Sequence, residues 1–194
     1  MGISRKLGII GTAGRQQDGP KLNLDSYNAM LSAASVLANA EKITHFVSGG
    51  AAWADHVAVS LFLSNNKFSL SLHLPEIFDT LMGQYCSEEF RDTGSVANYY
   101  HKQFYNKTKI PSLNEIGSAW AYGATVTVTR GFKERNSKVA EESDVLLAMT
   151  FGNGNIVKDG GTADTARKFL ALGKLPLYHL DLNTFKLYGN GTVN

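Results

Sequence analysis

The chain alternates between short apolar runs and longer amphipathic stretches. "KLGII" (Lys6–Ile10) is an apolar run closed by Gly11, the pattern of a strand buried on both faces. After a polar, glycine-rich loop, "LDSYNAMLSAASVLANA" brings Leu24, Tyr27, Leu31, Ala34 and Leu37 onto one helical face, with Asp25 or Ser26 placed to cap its start. The pattern then repeats. Ile43–Val47 reads as a strand, "SGGAAWAD" as a turn and "HVAVSLFLS" as an apolar helix. Phe68–Pro75 is a third strand, and its polar positions at Ser69, Ser71 and His73 predict one face that is less buried. Further on, "ATVTVT" (Ala124–Thr129) is a β-branched strand, "KERNSKVAEESD" a polar helix and "VLLAM" a fully apolar strand. "GGTADTARKFLALG" is a helix that Gly173 stops, and "LPLYHL" is the last strand.

Strand and helix in this rhythm predict an α/β fold: an open, mostly parallel sheet with helices on both faces, because parallel neighbours need a crossover between them. The stretch 76–121 interrupts the rhythm. It carries the densest aromatics, among them Tyr99, Tyr100, Phe104, Tyr105 and Trp120, and reads as helices and connecting loops inserted between the third and fourth strands. Residues 1–194 are expected to form a single domain bearing this helical, aromatic-rich insertion.

Composition narrows the function classes. Hydrophobic residues make up 43% of the 194 positions and charged residues 19%, which supports a sizeable core and argues against disorder. A net charge of +2, with no basic run beyond Arg5-Lys6, speaks against nucleic acid as the partner. Neither a signal peptide nor a span of about 20 apolar residues is visible, so no membrane role is expected. One cysteine, Cys86, rules out a disulfide within the chain and points to a reducing cytoplasm. The five histidines, His45, His56, His73, His101 and His179, have no ligand spacing, so neither a metal nor a cofactor is expected.

The candidate chemistry lies in three glycine-bearing turns. In an open parallel sheet every strand-to-helix turn falls at the carboxyl end of its strand, where ligands bind. Gly11-Thr12-Ala13-Gly14-Arg15, Ser48-Gly49-Gly50-Ala51 and Gly160-Gly161-Thr162 are therefore expected on one rim. Glycine lets a backbone N–H approach an anion closely, and a helix N-terminus adds unpaired N–H groups and a partial positive charge of about half a unit. Thr12, Ser48 and Thr162 add hydroxyl donors, and Arg15 a charge-assisted bond. The turns match neither the G-x-x-x-x-G-K-[ST] phosphate loop nor the G-x-G-x-x-G dinucleotide fingerprint.

Together the turns resemble the SLOG superfamily, which groups the DNA-processing protein A (Smf), the LONELY GUY cytokinin-activating enzymes and many nucleotide-sensing domains. "VSGGAAWADHVAV" is similar to the family's serine–glycine turn with an aspartate on the following helix. "RNSKVAEESDVLLAM" resembles its arginine-led helix ahead of a strand. "GGTADTARKFLALGKLPLY" resembles its closing glycine–threonine turn, helix and strand. The resemblance covers about three-quarters of the chain and leaves 76–121 without a counterpart. It implies a Rossmann-like fold that binds a nucleotide or nucleotide-derived small molecule through Gly11, Thr12, Gly14, Ser48, Gly49, Gly50, Asp55, Gly160, Gly161 and Thr162, with Asp55 accepting from ribose hydroxyls. Family members often pair, which implies a homo-oligomer, and the aromatic insertion offers an apolar face for it.

One departure bears on catalysis. LONELY GUY enzymes carry a P-G-G-x-G-T-x-x-E pattern whose glutamate serves the reaction. Here Arg167 stands at that place and Asp159 replaces the proline. That favours binding, as sensing or sequestration. The alternative is an N-glycoside hydrolase or deoxyribosyltransferase, whose chemistry needs a carboxylate near the anomeric carbon. Glu134 and Asp164 are the candidates. "RGFKERN" also places Arg130, Arg135 and Asn136 after a strand, hence on the ligand rim, where either arginine can clamp a phosphate. Tyr99, Tyr100 and His101 are candidates to stack on a base or cover the pocket. A third reading, DNA binding by analogy with the DNA-processing branch, runs against the near-neutral charge.

Overall fold

The computed structural model describes residues 5–158 and 160–193. In chain order the elements are β1 (Arg5–Gly11), α1 (Leu24–Ala40), β2 (Ile43–Ser48), α2 (His56–Ser64), β3 (Ser69–Leu74), a hairpin of β4 (Phe78–Asp79) and β5 (Gln84–Tyr85), α3 (Thr93–Thr108) and α4 (Ser112–Ala121). Then follow β6 (Thr125–Val128), α5 (Gly131–Glu142), β7 (Val145–Thr150), β8 (Ile156–Val157), α6 (Gly161–Ala171), β9 (Leu177–Asp181), β10 (Lys186–Tyr188) and β11 (Thr192–Val193). Among the described residues the main sheet has seven strands in the order β10-β9-β7-β1-β2-β3-β6. All pair in parallel except β10, which folds back antiparallel on β9. This is a Rossmann-like open α/β fold with helices on both faces.

Period-two alternation runs through strands that look uniformly apolar. Leu7 and Ile9 of β1 point into one core with Tyr27 and Met30 of α1 and Val57 of α2, whereas Ile10 points into the other with Val139 of α5 and Phe169 of α6. Phe46 and Val47 divide in the same way, as do Leu147 and Leu146. Strands buried on both faces have no polar side to show, hence their continuous apolar runs. Within the insertion, α4 lies against α2, and Phe104 and Ile116 enter the first core. The insertion also holds the short β4–β5 hairpin, which the aromatic pattern did not announce.

The order of the strands fixes where a ligand can enter. From β1 the chain steps outward through β2, β3 and β6, then returns by α5 to β7 on the other side of β1. The helices that follow β1 and β7 thus lie on opposite faces of adjacent strands. That reversal opens a crevice at the carboxyl ends of the two strands.

Two sequence expectations are corrected. The cap of α1 is Asn23, whose Oδ1 accepts from the Ser26 N–H at 2.9 Å. Asn23 holds the extended backbone a cap needs, while Asp25 and Ser26 already lie inside the helix. The polar face of β3 is also not exposed beyond Ser69. Ser71 and His73 are buried because Glu142, at the end of α5, covers them. Its carboxylate accepts from His73 Nε2 at 2.6 Å, Ser71 Oγ at 2.7 Å and Lys6 Nζ at 2.9 Å, and His45 Nε2 reaches Ser71 Oγ at 2.8 Å.

Hydrogen bonding to His73 outweighs burial and, with Lys6 and Ser71, holds the Glu142 carboxyl well below the usual carboxylate range. A depressed carboxyl contributes stability above its unfolded pKa, near 4.3, and loses it as pH falls through the lower folded value. Glu142→Gln is therefore expected to cost about 1–3 kcal/mol at neutral pH, with the gap to wild type closing as pH falls below about 4. Urea unfolding at several pH values checks this, and a gap that ignores pH overturns it.

Candidate functional site

A cavity of about 340 Å³ occupies the crevice between the ends of β1 and β7, a volume in the range of small-ligand pockets. Its first wall is the loop leaving β1. Thr12 is pinned there by its N–H on the Met149 carbonyl at 2.9 Å and by its carbonyl, which accepts from the Ala54 N–H at 3.3 Å. The Thr12 hydroxyl donates to Asp18 Oδ2 at 2.9 Å and accepts from the Gly14 N–H at 3.1 Å. Asp18 sits in a short 3-10 turn, Gln16–Lys21, and its other oxygen pairs with Lys158 across the crevice.

The second wall is the loop leaving β7. The Lys158 N–H donates to Thr150 Oγ1 at 3.0 Å, and that hydroxyl meets His179 Nε2 at 2.8 Å. The other ring nitrogen, Nδ1, lies 2.7 Å from the Gly154 carbonyl and must be its donor, so the tautomer is set and Nε2 accepts from Thr150. Burial lowers the His179 pKa, which keeps the ring neutral in this role. Gly160 then turns the chain into α6 with φ 122° and ψ −156°, a conformation essentially confined to glycine. The turn brings Gly160, Gly161 and Thr162, at the amide-rich start of α6, onto the cavity. Asn136 of α5 braces it by donating to the Gly161 carbonyl at 3.2 Å.

The third wall is Asp55 with Arg135. Asp55 is almost fully buried, and burial raises its pKa against the opposing pull of the Arg135 guanidinium, 2.8 Å away, and of the backbone amides of Ala51, Gly11 and Gly49. The amides of the second turn therefore face an anion, but it is the chain's own carboxylate. The rest of this turn is closed from outside. Ser48 Oγ donates to the Asp55 carbonyl at 2.8 Å and accepts from the Gly50 N–H at 3.1 Å. The Gly50 carbonyl accepts from Tyr85 Oη at 2.8 Å and His101 Nε2 at 3.0 Å. Burial pushes the His101 pKa down to about 3, so Nδ1 stays unprotonated to accept from Ser112 Oγ at 2.9 Å.

Of the residues expected at a ligand, Gly11, Thr12, Arg15, Asp55, Arg135, Asn136, Gly160, Gly161 and Thr162 line one cavity. Gly14, Ser48, Gly49, Gly50 and Arg130 do not. Gly14 lies against Trp53, and Arg130 is exposed, its N–H donating to Glu134 Oε2 at 2.8 Å in a local cap of α5. Both carboxylates expected to serve catalysis, Glu134 and Asp164, also stand outside the lining. Asp164 pairs with Lys168 at 2.7 Å; burial alone raises its pKa, but Lys168 and Asn136 bring it below the usual range. Of the aromatic trio, Tyr99 is exposed, His101 is spent on Gly50, and Tyr100 meets the Arg15 guanidinium 5.3 Å from its ring centre. Arg167 lies outside this cavity, and Asp159 falls outside the described residues.

Among the lining residues that were not singled out from the sequence, Asp18, Phe132 and Lys158 bear most on the chemistry of the cavity. The Phe132 ring stands 5.0 Å from the Arg15 guanidinium and 5.6 Å from that of Arg135, within cation–π range. The usable signal for Asp18 and Lys158 was position alone, in loops that leave strands at the ligand rim. Among the described residues no group of three or more His, Cys, Asp or Glu is placed to hold a metal ion.

No family model matches the chain. A curated protein of Acanthamoeba polyphaga mimivirus, "Uncharacterized protein R261", is 34% identical to it over 180 residues, which span 88% of this chain and 93% of the viral protein.

The Asp55–Arg135 pair gives a test of how the site is held. A Cβ on Gly49 would overlap the Arg135 guanidinium. Gly49→Ala and Arg135→Gln should then act on the same pair, each costing about 3 kcal/mol by leaving Asp55 buried without its cation. The double variant should cost little more than either single one. Chemical denaturation of all three measures this, and additive losses would refute it.

Proposed function

The chain belongs to one family with the mimivirus protein R261, and from the cavity we propose that it binds a nucleotide or nucleotide-derived small molecule, as a sensor or sequestering protein, between the ends of β1 and β7. The observation that carries this reading is the cavity at the switch point of the sheet, with the first turn of α6, Arg15, Arg135 and Asn136 all on its surface. Phosphate suits the helix start and the Arg15 guanidinium, and Phe132 offers a ring face to a base. The SLOG resemblance points the same way. Both carboxylates considered for N-glycoside chemistry stand outside the lining, which favours binding over hydrolysis or deoxyribosyl transfer.

Partners and setting follow in the same spirit. Leu81, Met82 and Phe90 of the insertion, with Tyr122 just after it, are exposed and supply apolar surface for a homo-oligomer. Cys86 is free and exposed, in keeping with a reducing cytoplasm. Among the described residues no helix is long and apolar enough to cross a membrane.

Thr162 separates folding from binding. A carboxylate in the first turn of a helix is favourable by about 0.3–1 kcal/mol, yet it repels an anion bound at the same place. Thr162→Glu should leave the melting temperature unchanged or raised while weakening nucleotide binding at least tenfold by calorimetry. A panel of nucleotides, ADP-ribose compounds and cyclic nucleotides serves as ligand. No binding across the panel, or binding indifferent to Thr162→Glu, would overturn the reading.

A further inference from the structure

Among the described residues two carboxylates line a cavity otherwise rich in donors, Asp18 and Asp55. They differ in acceptor capacity. A carboxylate offers about four lone-pair positions. Asp55 is buried and turned to the chain's own positive groups, the Arg135 guanidinium 2.8 Å away and the nearby amides of Ala51, Gly11 and Gly49, which commits it to holding the wall. Among the described residues Asp18 has one donor on each oxygen, Thr12 on Oδ2 and Lys158 on Oδ1, so about one position on each oxygen stays open.

An acceptor-only group would weaken a purely anionic ligand, so its presence implies a ligand with donors at one end and negative charge at the other. Lys158 offsets the charge of Asp18 without using its remaining lone pairs. The group is also preorganised. Thr12 is tied to β7 through Met149, and Lys158 is tied to Thr150.

We propose that Asp18 reads the sugar of the bound nucleotide, accepting from the 2′ and 3′ hydroxyls of a ribose. This rests on the nucleotide reading above and moves the ribose contact from Asp55, where the sequence put it, to the loop after β1. A cis-diol presents two adjacent O–H donors to the two oxygens of one carboxylate. Deoxyribose presents one.

Calorimetry at fixed salt, with the four ribonucleoside 5′-monophosphates and their 2′-deoxy counterparts, tests this on the full chain. Wild type should prefer the ribo form roughly 10- to 100-fold, the worth of one hydrogen bond to a charged group. Asp18→Asn should bind both forms within about threefold of each other and keep its dependence on the phosphate. Should that variant fail to fold, Asp18→Glu, with the carboxylate displaced by a methylene, should likewise lose the preference. Equal affinity for both forms in wild type, or a preference that survives substitution, ends the role of Asp18 and leaves the nucleotide reading standing. No binding of either form removes the nucleotide reading, and this inference with it.

Discussion

The buried ion pair between Asp55 and Arg135 is the constraint on which the site depends. Asp55 belongs to the turn that opens α2 on one face of the sheet, and Arg135 to α5 on the other. Their contact crosses the carboxyl rim of the strands, and the Gly11 amide ties the end of β1 into it. Such a pair adds little net stability, because desolvating two charges consumes most of what their attraction returns. What it contributes is position. An unpaired charge at that depth is strongly unfavourable, so the two helices are held in one relation and the cavity between them in one shape.

The strands and their order of burial were legible in the sequence, because a parallel sheet covered on both faces writes itself as apolar runs bounded by glycine. The turns were legible too, but not their occupants. Gly49 and Gly50 announce amides able to meet an anion, and nothing local says that the anion is Asp55, a few residues on. Nor does anything local say that Tyr85 and His101, 35 and 51 residues away, will close over Gly50. Asp18 and Lys158 sit in loops with no periodicity to mark them, and their pairing spans 140 residues. Long-range polar contacts of this kind leave no trace in a window of ten or twenty residues.

The third strand teaches a narrower lesson. Alternating Ser69, Ser71 and His73 signal that one face of β3 differs from the other, and that is correct. The step from polar to exposed fails, because a charged side chain can cover a polar face as well as water can. Glu142 does so with three hydrogen-bonded partners, and its low pKa is the electrostatic mark of that burial. Likewise the aromatic insertion, rich in residues suited to stacking on a base, spends Tyr85 and His101 on holding a backbone carbonyl. Its contribution to the cavity is to brace a wall.

A charge balance of the cavity then decides what it attracts. Among the described residues each carboxylate on its surface is matched by a cation: Asp55 by Arg135 and Asp18 by Lys158. What remains is Arg15, set over the rings of Tyr100 and Phe132, and the partial positive charge at the start of α6. Those two groups are positive, in a crevice whose low-dielectric walls concentrate their field. A neutral sugar alone would gain nothing from that field, and a bare phosphate would leave the open lone pairs of Asp18 unused. A ligand carrying both uses the two kinds of group together, and this complementarity, more than any single glycine, favours the proposed nucleotide.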